Sequence, residues 1–362
     1  MTDLVFLSRA GAIDRMNLLG RAKRPFFFLI DFDGNRSVVE EPGDISPESL
    51  QYVFPKFSNA SDMVTDTNRI SDMMDRTVGN HDENDKVPMK PLRQKDRELK
   101  DIIWNPMPQS FDMYQHSFDI VHHNIHLGNS FLTNLTCATT VETNLSLFDV
   151  FQHAHARYKL WVKDQFVVFS PEIFVRIENG MIYSHPMKGT ADATQEGSAE
   201  KLLADEKEMA EHATITDLIR NDLSQVASEV TVTRYRYLEK LQTNHGPLWQ
   251  MSSEIRGRLP KDFCQHLGDL FFQLLPAGSI TGAPKKKTVE IIREAENYER
   301  GFYTGVMGYF DGTNLDSAVL IRFIQQMDDG TFVFKSGGGI TFKSIAINEY
   351  NEMMEKVYVP IY

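Results

Sequence analysis

The amino-acid sequence predicts an α+β fold in which antiparallel β-sheets pack as a sandwich with flanking helices. Two observations lead to this prediction. Short apolar stretches occur in pairs joined by tight-turn residues, as at Asn179-Gly180 and Asp311-Gly312, which is typical of antiparallel hairpins. Helical patterns are interleaved with these hairpins from residue 102 to residue 362, without an internal repeat or regular β-α-β alternation. This order disfavours a doubly wound parallel sheet.

Composition narrows the classes of function. The chain has 362 residues, of which 38 are basic and 50 acidic, so its formal net charge is −12. This balance argues against nucleic-acid binding, which needs a basic surface. No apolar run approaches the roughly 18 residues of a membrane span, and the first residues do not form a signal peptide. Cys137 and Cys264 match no metal or disulfide spacing, so we predict a cytoplasmic protein without a membrane partner.

Three regions follow one another along the chain. Residues 1–57 are predicted to form short strands and turns, among them a strand at Phe26–Asp31 that ends before Asp33-Gly34. Residues 58–100 are polar, carry mixed charge and contain almost no aromatic side chains. They cannot bury enough apolar surface to offset the entropy of ordering, so we predict a polar insertion or mobile linker. Residues 101–362 are predicted to form the catalytic domain.

The third region contains predicted helices and strands in alternation. Apolar spacing and capping residues predict helices over 113–127, 198–226 (capped by Ser198) and 346–357. Alternation and turn residues predict strands over 159–162, 165–170, 174–177, 181–184, 306–310, 317–327 and 331–335. A run of three glycines follows the last of these strands.

One lysine stands where a predicted strand opens into a loop. In the segment Ser184-His185-Pro186-Met187-Lys188-Gly189-Thr190, Pro186 sets an extended bend and Gly189 allows close backbone approach. Lys188 is a surface lysine at a turn or, alternatively, a nucleophile whose pKa is lowered in a partly desolvated pocket.

Two pairs of glutamates have helical spacing. Glu208 and Glu211 lie three residues apart on one predicted helix, and Glu349 and Glu352 repeat this spacing on the last helix. Side chains three apart share a helix face, so two facing helices would gather hard oxygen ligands of the kind that Mg²⁺ takes. Taken singly, however, each pair is equally typical of a solvent-exposed helix surface, where glutamates three residues apart are common.

Two glycine-containing segments are suited to binding an anion. Backbone N–H groups of Gly337, Gly338 and Gly339 can surround a carboxylate or phosphate, although no nucleotide-binding motif is present. Arg322 precedes them and is a natural bidentate partner for a carboxylate, or else forms an ion pair at the rim. The loop 274–285 surrounds Thr281 and Gly282 with small residues and places Pro284 at the start of a helix.

Together these segments resemble the chorismate-utilising enzyme family, which includes anthranilate synthase component I, aminodeoxychorismate synthase component I, isochorismate synthase and salicylate synthase. The matching motifs, in family order, are SPEIF (170–174), HPMKGT (185–190), ADEKEMAEHATITDLIRNDL (204–223), LPAGSITGAPK (275–285), GYF (308–310), IRF (321–323), SGGGI (336–340) and EYNEMMEKV (349–357). The resemblance implies an anthranilate-synthase-like fold and chorismate as substrate. It also implies Mg²⁺ bound through Glu211 and Glu352, with Glu208 and Glu349 in support.

The residue before Gly189-Thr190 distinguishes members of this family. Anthranilate and salicylate synthases typically have alanine there, whereas aminodeoxychorismate synthases have lysine, as this chain does at Lys188. The resemblance implies that Lys188 attacks C2 of chorismate as the C4 hydroxyl departs, and that ammonia then adds at C4 and expels the lysine. The product, 4-amino-4-deoxychorismate, leads to p-aminobenzoate and folate. Glu172 matches the family's acid/base carboxylate, which would assist loss of the hydroxyl.

The resemblance also implies a set of substrate-binding residues and a partner. Arg322, Tyr309 and the three glycines match positions that hold a substrate carboxylate. The rest of the predicted substrate-binding set is Thr190, Gln250, Thr281 and Gly282. Because no glutaminase Cys–His–Glu set is apparent in the sequence, ammonia is implied to come from solution or from a separate glutamine amidotransferase subunit.

Three departures from the family pattern bear on function. Leu132 stands where isochorismate-forming enzymes place a water-activating lysine, so isochorismate synthesis is disfavoured. Gln250 replaces the family's active-site histidine and cannot donate a full proton, which assigns the acid role to Glu172. No match to the tryptophan-binding region of feedback-inhibited relatives is found. The alternative hypotheses are anthranilate synthase component I and a catalytically silent chorismate-binding subunit.

Overall fold

The computed structural model describes residues 4–60, 102–243 and 246–361. From residue 61 to residue 100 the predicted polar insertion lies outside the described residues. Its first three residues are described, and there the Asn59 side chain accepts a hydrogen bond from the Tyr52 backbone N–H. Within the described ranges, no helix is both long and apolar enough to cross a membrane.

Two antiparallel sheets contain all the strands of the described residues. The strands of the first sheet are β1 (Phe26–Ile30), β2 (Ser37–Glu40), β8 (Ile173–Glu178), β9 (Met181–Ser184), β10 (Met187–Asp192), β11 (Ser228–Thr243), β12 (Gly246–Arg258), β14 (Val306–Phe310) and β15 (Leu315–Val319). Their order is β10-β12-β9-β8-β15-β14-β1-β2, and β11 also pairs with β12. Because β9 and β10 pair with different parts of β12, the chain between them bends at His185-Pro186, just before Lys188.

The second sheet lies against the first. Its strands are β3 (Leu50–Val53), β4 (Trp104–Met107), β5 (Leu132–Thr143), β6 (Tyr158–Val162), β7 (Phe166–Ser170), β13 (Gly282–Ala283), β16 (Phe323–Gln326) and β17 (Phe332–Ile340). Their order is β13-β5-β17-β16-β7-β6-β3, with β4 also paired to β5. The hairpins predicted around residues 163–164 and 179–180 are confirmed as β6–β7 and β8–β9.

Helices cover the outer faces of both sheets. In the described residues they are α1 (Arg9–Arg21), α2 (Phe111–His126), α3 (Leu147–His153), α4 (Ser198–Ala204), α5 (Glu206–Ser224), α6 (Leu267–Leu274), α7 (Lys285–Ala295) and α8 (Ala346–Glu355). Phe27 of β1 stacks on Tyr52 of β3 at 4.7 Å between ring centroids, in a core cluster shared by the two sheets. On the other side of β1, Phe28 packs on Phe271 of α6. The predicted α+β sandwich with flanking helices is therefore confirmed.

The N-terminal region contains a helix that the sequence analysis did not predict. Strands and turns were predicted for residues 1–57, but α1 occupies Arg9–Arg21, with the Ser8 hydroxyl accepting from the Gly11 N–H as its N-cap. The helix packs so closely on the segment before and within α6 that a Cβ on Gly20 would lie 2.2 Å from the backbone oxygen of Cys264. This contact joins residues far apart in sequence, which is why no local pattern predicts it.

Two predicted elements are each divided in the structure. The helix predicted over residues 198–226 is interrupted at Asp205, whose carboxylate caps α5 by accepting from the Glu208 N–H, while Gly197, not Ser198, is the N-cap of α4. The strand predicted over residues 317–327 ends at Val319 and resumes at Phe323, because the chain leaves one sheet and enters the other at Arg322. Arg322 has a φ of 55°, which ends the extended conformation there.

A buried ion pair connects the second sheet to the loop between α6 and α7. Arg300 and Glu296 have side chains that are each 2% exposed, with Arg300 Nη2 lying 2.6 Å from Glu296 Oε1. Arg300 also donates to the backbone oxygens of Ile280 in that loop and of Asn134 in β5. Glu296 in turn accepts from the Thr136 N–H of β5. Arg300 and Glu296 thus each anchor neighbouring backbone while neutralising the other's buried charge.

Replacing Arg300 by alanine is expected to lower the free energy of unfolding by about 3–5 kcal/mol, because Glu296 would be left as an unpaired buried charge. Urea denaturation would measure the change. The control is Arg220→Ala, which breaks the exposed ion pair with Asp217 and should cost less than about 1 kcal/mol. Equal losses in the two variants would contradict the role assigned to the buried pair.

Candidate active site

A cavity of about 130 Å³ lies beside the end of β10, between the two sheets' edges and α5. Its lining includes Glu172, Lys188, Glu211, Ser279, Gly339 and Thr341. Five of these residues come from five separate motifs of the sequence, and Thr341 directly follows one of them, so the structure brings together residues that the sequence could relate only by resemblance. The groups that line the cavity include an amine, carboxyl groups and hydroxyls.

Lys188 forms an ion pair within this cavity. Its Nζ lies 2.8 Å from Glu211 Oε2, and the two side chains are 32% and 10% exposed. Burial lowers the pKa of the Lys188 ammonium, but Glu211 foremost, together with the charges of Glu352 and Glu208, raises it more, so its pKa lies above the ordinary lysine value. The predicted lowering of this pKa is therefore wrong. The physical reason is the group of carboxylates, whose combined attraction outweighs desolvation.

The two glutamate pairs approach Lys188 from opposite helices. Besides Glu211, the charges of Glu352 and Glu208 act on the Lys188 ammonium. Glu349, in the first turn of α8, is 6% exposed, and burial raises the pKa of its carboxyl. Glu208 Oε2 is buried without a hydrogen-bond partner in the described residues. An orphaned carboxylate oxygen is a group that a cation would satisfy.

Lysines form ion pairs with one glutamate of each pair. Lys207 Nζ lies 3.7 Å from Glu211 Oε1, and Lys356 Nζ lies 2.9 Å from Glu352 Oε1. Burial raises the pKa of Glu352, but the neighbouring lysines, Lys356 foremost, lower it by a larger amount. The pKa of Glu352 therefore lies below its ordinary value. Across residues 4–60, 102–243 and 246–361, no group of three or more His, Cys, Asp or Glu side chains is gathered as a metal site. The glutamates are thus hard donors held in part by lysines.

Glu172 occupies the turn between β7 and β8. Ser279 Oγ donates a hydrogen bond to Glu172 Oε1 over 2.6 Å. Burial raises the pKa of the Glu172 carboxyl, while the Ser279 hydrogen bond and the charges of Arg322 and Lys356 act to lower it, and the net effect is a raised pKa. A carboxyl with a raised pKa keeps its proton to higher pH, as a general acid requires.

The glycine run is part of strand β17 and not of a free loop. Gly337, Gly338 and Gly339 pair with residues 134–136 of β5, whereas the pairing of β17 with β16 ends at Lys335. A Cβ on Gly338 would lie 3.7 Å from Glu349 Oε2 and 3.8 Å from Lys356 Nζ. The strand predicted over residues 331–335 therefore continues through the glycines to Ile340. The glycines instead make a strand edge without side chains, directly beside charged groups of α8.

Arg322 lies where the chain crosses from one sheet to the other. It interacts with Glu172 and with Tyr303, whereas the sequence predicted Tyr309 beside it. Its charge acts on the carboxyl of Glu172 and on the phenol of Tyr303. Burial raises the pKa of Tyr303, while Arg300 and Arg322 act in the opposite direction. Tyr309 belongs to another group, since its ring stacks on Phe57 with 4.3 Å between centroids.

The remaining predicted residues lie in the backbone framework around the cavity. Gln250 of β12 pairs with Thr190 of β10, two residues beyond Lys188. Thr281 is fully buried, its hydroxyl donates to the backbone oxygen of Ala277, and its own backbone oxygen accepts from β5. Gly282 has a φ of 127°, and a Cβ there would lie 1.7 Å from the Leu132 oxygen, so only glycine fits. These residues shape the cavity through the backbone.

Three further residues enter the site that the sequence analysis did not single out. They are Ser279, Tyr303 and Lys356, the last of which also donates to the backbone oxygen of Gly337 over 2.9 Å. Ser279 and Lys356 lie within quoted motifs, and Lys356 follows Glu352 by four residues, the spacing of a helical ion pair. That spacing could have indicated Lys356. No comparable local signal distinguishes Tyr303.

Comparison with known proteins agrees with this geometry. A family described as chorismate binding enzyme matches residues 6–361. An uncharacterized PabA-like protein of Pasteurella multocida is 44% identical over 349 residues, covering 96% of this chain and 98% of that protein. Anthranilate synthase component 1 of Acetivibrio thermocellus is 33% identical over 243 residues, or 63% of this chain and 48% of that enzyme.

A solved structure shares the fold. The putative 2,3-dihydroxybenzoate-specific isochorismate synthase DhbC of Bacillus anthracis superposes with a TM-score of 0.67 at 17% identity, covering 97% of this chain and 88% of that one. The chain belongs to the chorismate-binding enzyme family, and the resemblance inferred from its motifs is confirmed.

Two neighbouring glycines allow a paired test of the strand edge. Gly337→Ala should lower the free energy of unfolding by about 1–3 kcal/mol, because its Cβ would lie 2.6 Å from the Leu135 backbone oxygen. Gly338→Ala should cost less than about 1 kcal/mol, since its Cβ meets only ordinary contacts. It should nevertheless weaken chorismate binding, because the methyl group occupies space beside Glu349 and Lys356.

Denaturation and equilibrium binding of chorismate would be measured on both glycine variants. If Gly338→Ala binds chorismate as tightly as the parent protein, then this strand edge does not contact the substrate.

Proposed function

We propose that this protein is aminodeoxychorismate synthase component I, which replaces the C4 hydroxyl of chorismate by an amino group in an Mg²⁺-dependent reaction. The observation that carries the proposal is the position of Lys188. Its amine lies in the cavity that Glu172 also lines, and it is held there by Glu211 at 2.8 Å. A surface lysine at a turn would have neither property. Cys137 and Cys264 are free thiols, which is compatible with the proposed action in the reducing environment of the cytoplasm.

The proposed reaction uses these side chains in two displacement steps. In the first, Lys188 reacts as a neutral amine after its ammonium has released a proton to solvent. Its nitrogen forms a bond to C2 of chorismate while the C4–oxygen bond breaks, and Glu172 protonates the departing hydroxyl so that water leaves. In the second, ammonia forms a bond to C4, the bond between C2 and the Lys188 nitrogen breaks to regenerate the amine, and the Glu172 carboxylate takes back the proton that the added ammonia loses. The sum is chorismate plus ammonia giving 4-amino-4-deoxychorismate plus water. Nucleophilic catalysis of this kind divides one difficult displacement into two easier ones.

Substrate carboxylates would be bound by cationic groups around the cavity. Arg322 and Lys356 both act electrostatically on Glu172, so they lie on the side of the cavity where the acid is. Magnesium, when bound, supplies positive charge that neutralises a substrate carboxylate. Glu211 and Glu352 would hold it, supported by Glu208 and Glu349, and the orphaned Glu208 Oε2 fits this role.

A separate glutamine amidotransferase subunit is proposed as the source of ammonia. The reaction itself requires only ammonia, so the purified chain should react with an ammonium salt in place of the partner. The chemistry can therefore be tested on the chain alone. The role of the partner is tested by adding a glutamine amidotransferase subunit together with glutamine.

Anthranilate synthase component I is the second candidate. It is favoured by the similarity to the Acetivibrio thermocellus enzyme. That reaction ends in elimination of pyruvate, for which a lysine nucleophile is not needed. The two candidates therefore differ in the product and in the need for Lys188. A catalytically silent chorismate-binding subunit, which Gln250 brought into consideration, would bind chorismate without turnover.

A product assay with a matched lysine control tests the proposal. The purified chain is incubated with chorismate, Mg²⁺ and ammonium at mildly alkaline pH, and the products are separated by chromatography. The parent protein should form aminodeoxychorismate, and Lys188→Ala should reduce its rate at least about a hundredfold, since the nucleophile is lost. Lys163→Ala, in the turn between β6 and β7, should retain the parent rate.

Intact-protein mass spectrometry adds a second readout. With chorismate but no ammonia, the parent should gain the mass of one chorismate less one water, and Lys188→Ala should not. Anthranilate as the main product would establish the second candidate, and tight binding of unchanged chorismate would indicate a silent subunit.

The metal assignment is tested by two glutamates on different helices. Glu352→Gln should weaken Mg²⁺ binding in the presence of chorismate by about tenfold or more, because a carboxylate ligand becomes neutral. Glu290→Gln, which removes the exposed partner of Lys287 on α7, should bind Mg²⁺ as the parent does. Isothermal titration would measure both, and equal affinities in the two variants would refute the assignment.

A further inference from the structure

We infer that Ser279 is a positioning residue for Glu172: its hydroxyl occupies one carboxyl oxygen, so that the other oxygen, Oε2, carries the proton given to the leaving hydroxyl. The inference rests on the proposed function and adds a residue to it. Its basis is the hydrogen bond from Ser279 Oγ to Glu172 Oε1, which is 2.6 Å long.

The backbone of Glu172 is fixed independently of its side chain. Its N–H donates to Ser170 Oγ over 3.1 Å, and its carbonyl oxygen accepts from the Val319 N–H over 3.1 Å. These bonds fix where the side chain begins but leave rotation about its own bonds undetermined. The hydroxyl of Ser279 supplies the constraint at the far end of that side chain.

Ser279 is itself held on a loop with several anchors. It lies in the short helical turn Gly278–Ile280, whose last carbonyl accepts from Arg300 over 2.9 Å. At the end of the loop, Lys285 Nζ lies 2.8 Å from Asp222 Oδ2 and donates to the Leu274 oxygen over 2.8 Å. The loop is thus tied at both ends and in the middle, so its serine is a preorganised donor.

The direction of the hydrogen bond decides which oxygen is protonated. A lone pair of Oε1 is occupied by the Ser279 proton, so a proton taken up by the carboxyl goes to Oε2. Without the serine, rotation of the carboxyl group would interchange its two oxygens. Only some of the resulting orientations would direct the proton at the substrate. Fixing a catalytic group in one orientation is a recognised source of rate enhancement.

The same hydrogen bond also lowers the pKa of Glu172 and so partly offsets the effect of burial. Burial favours the protonated carboxyl, whereas Ser279 and the charges of Arg322 and Lys356 favour the carboxylate. Removing the hydroxyl should therefore raise the pKa of Glu172. Since a general acid acts while protonated, activity lost as pH rises through this pKa should persist to higher pH in the variant.

Four variants test the inference through the pH dependence of chorismate consumption. Ser279→Ala should lower kcat/KM at least about tenfold and move the alkaline limb upward by about one pH unit, as expected for loss of one hydrogen bond to a carboxylate. Ser279→Thr keeps the hydroxyl and should restore most of the rate and the parent limb. Glu172→Gln should remove this limb, and Glu172→Gln combined with Ser279→Ala should be no slower than Glu172→Gln alone.

The double variant separates positioning from a purely structural role. If Ser279 acts through Glu172, its removal has no further effect once the carboxyl is absent. If it only supports the loop, the two losses multiply, the limb stays in place, and the inference is overturned.

A readout independent of turnover separates this inference from the proposed function. The carboxyl carbon of Glu172 can be followed by NMR in protein labelled at glutamate side chains, with Glu172→Gln identifying the signal. Ser279→Ala should move its titration midpoint to higher pH, and an unchanged midpoint would overturn the inference. A shifted midpoint in a protein that forms no aminodeoxychorismate would instead refute the proposed function while leaving the Ser279–Glu172 relation intact.

Discussion

The ion pair of Arg300 and Glu296 is the interaction on which the arrangement of the site depends. It is buried, and its hydrogen bonds reach the backbone of β5 and of the loop between α6 and α7. Strand β5 aligns the glycine edge of β17, and the loop carries Ser279 to Glu172. A buried pair of this kind is costly to desolvate and does not by itself add much stability. Its contribution lies in geometry, because its charged groups bond to the backbone of both β5 and the loop and so hold these two segments against each other.

Charge is distributed around the cavity as an alternation of acids and amines. Lys188 lies against Glu211, and Lys356 lies against Glu352, so each helix presents one glutamate that is paired with a lysine. These pairs reduce the cost of holding several carboxylates together in a partly buried place. Under the proposed function, a divalent cation and an anionic substrate would take over this charge compensation when they bind.

Local patterns predicted most elements whose stabilising contacts are local. The hairpins at residues 163–164 and 179–180 and helix α2 were recognised because turn residues and capping residues lie within the elements themselves. Helix α1 was missed because its burial depends on glycine contacts with the region of Cys264 and Gly268, more than 200 residues away by the numbering of the chain. The single strand predicted over residues 317–327 was too long, because the apolar pattern continues across Arg322, where the chain passes from one sheet to the other.

The sequence by itself determined the family, the α+β class and the identities of the chemical groups. Eight motifs in order identify Lys188, Glu172 and the glutamate pairs, and this information is local because each motif is contiguous. Only the tertiary structure decided the protonation of Lys188, the pairing of the glycine strand and the neighbours of Glu172, among them Ser279 and Arg322. These properties depend on distances between segments far apart in the chain. A pKa or a hydrogen bond is set by what lies a few ångströms away, and sequence spacing does not carry that information.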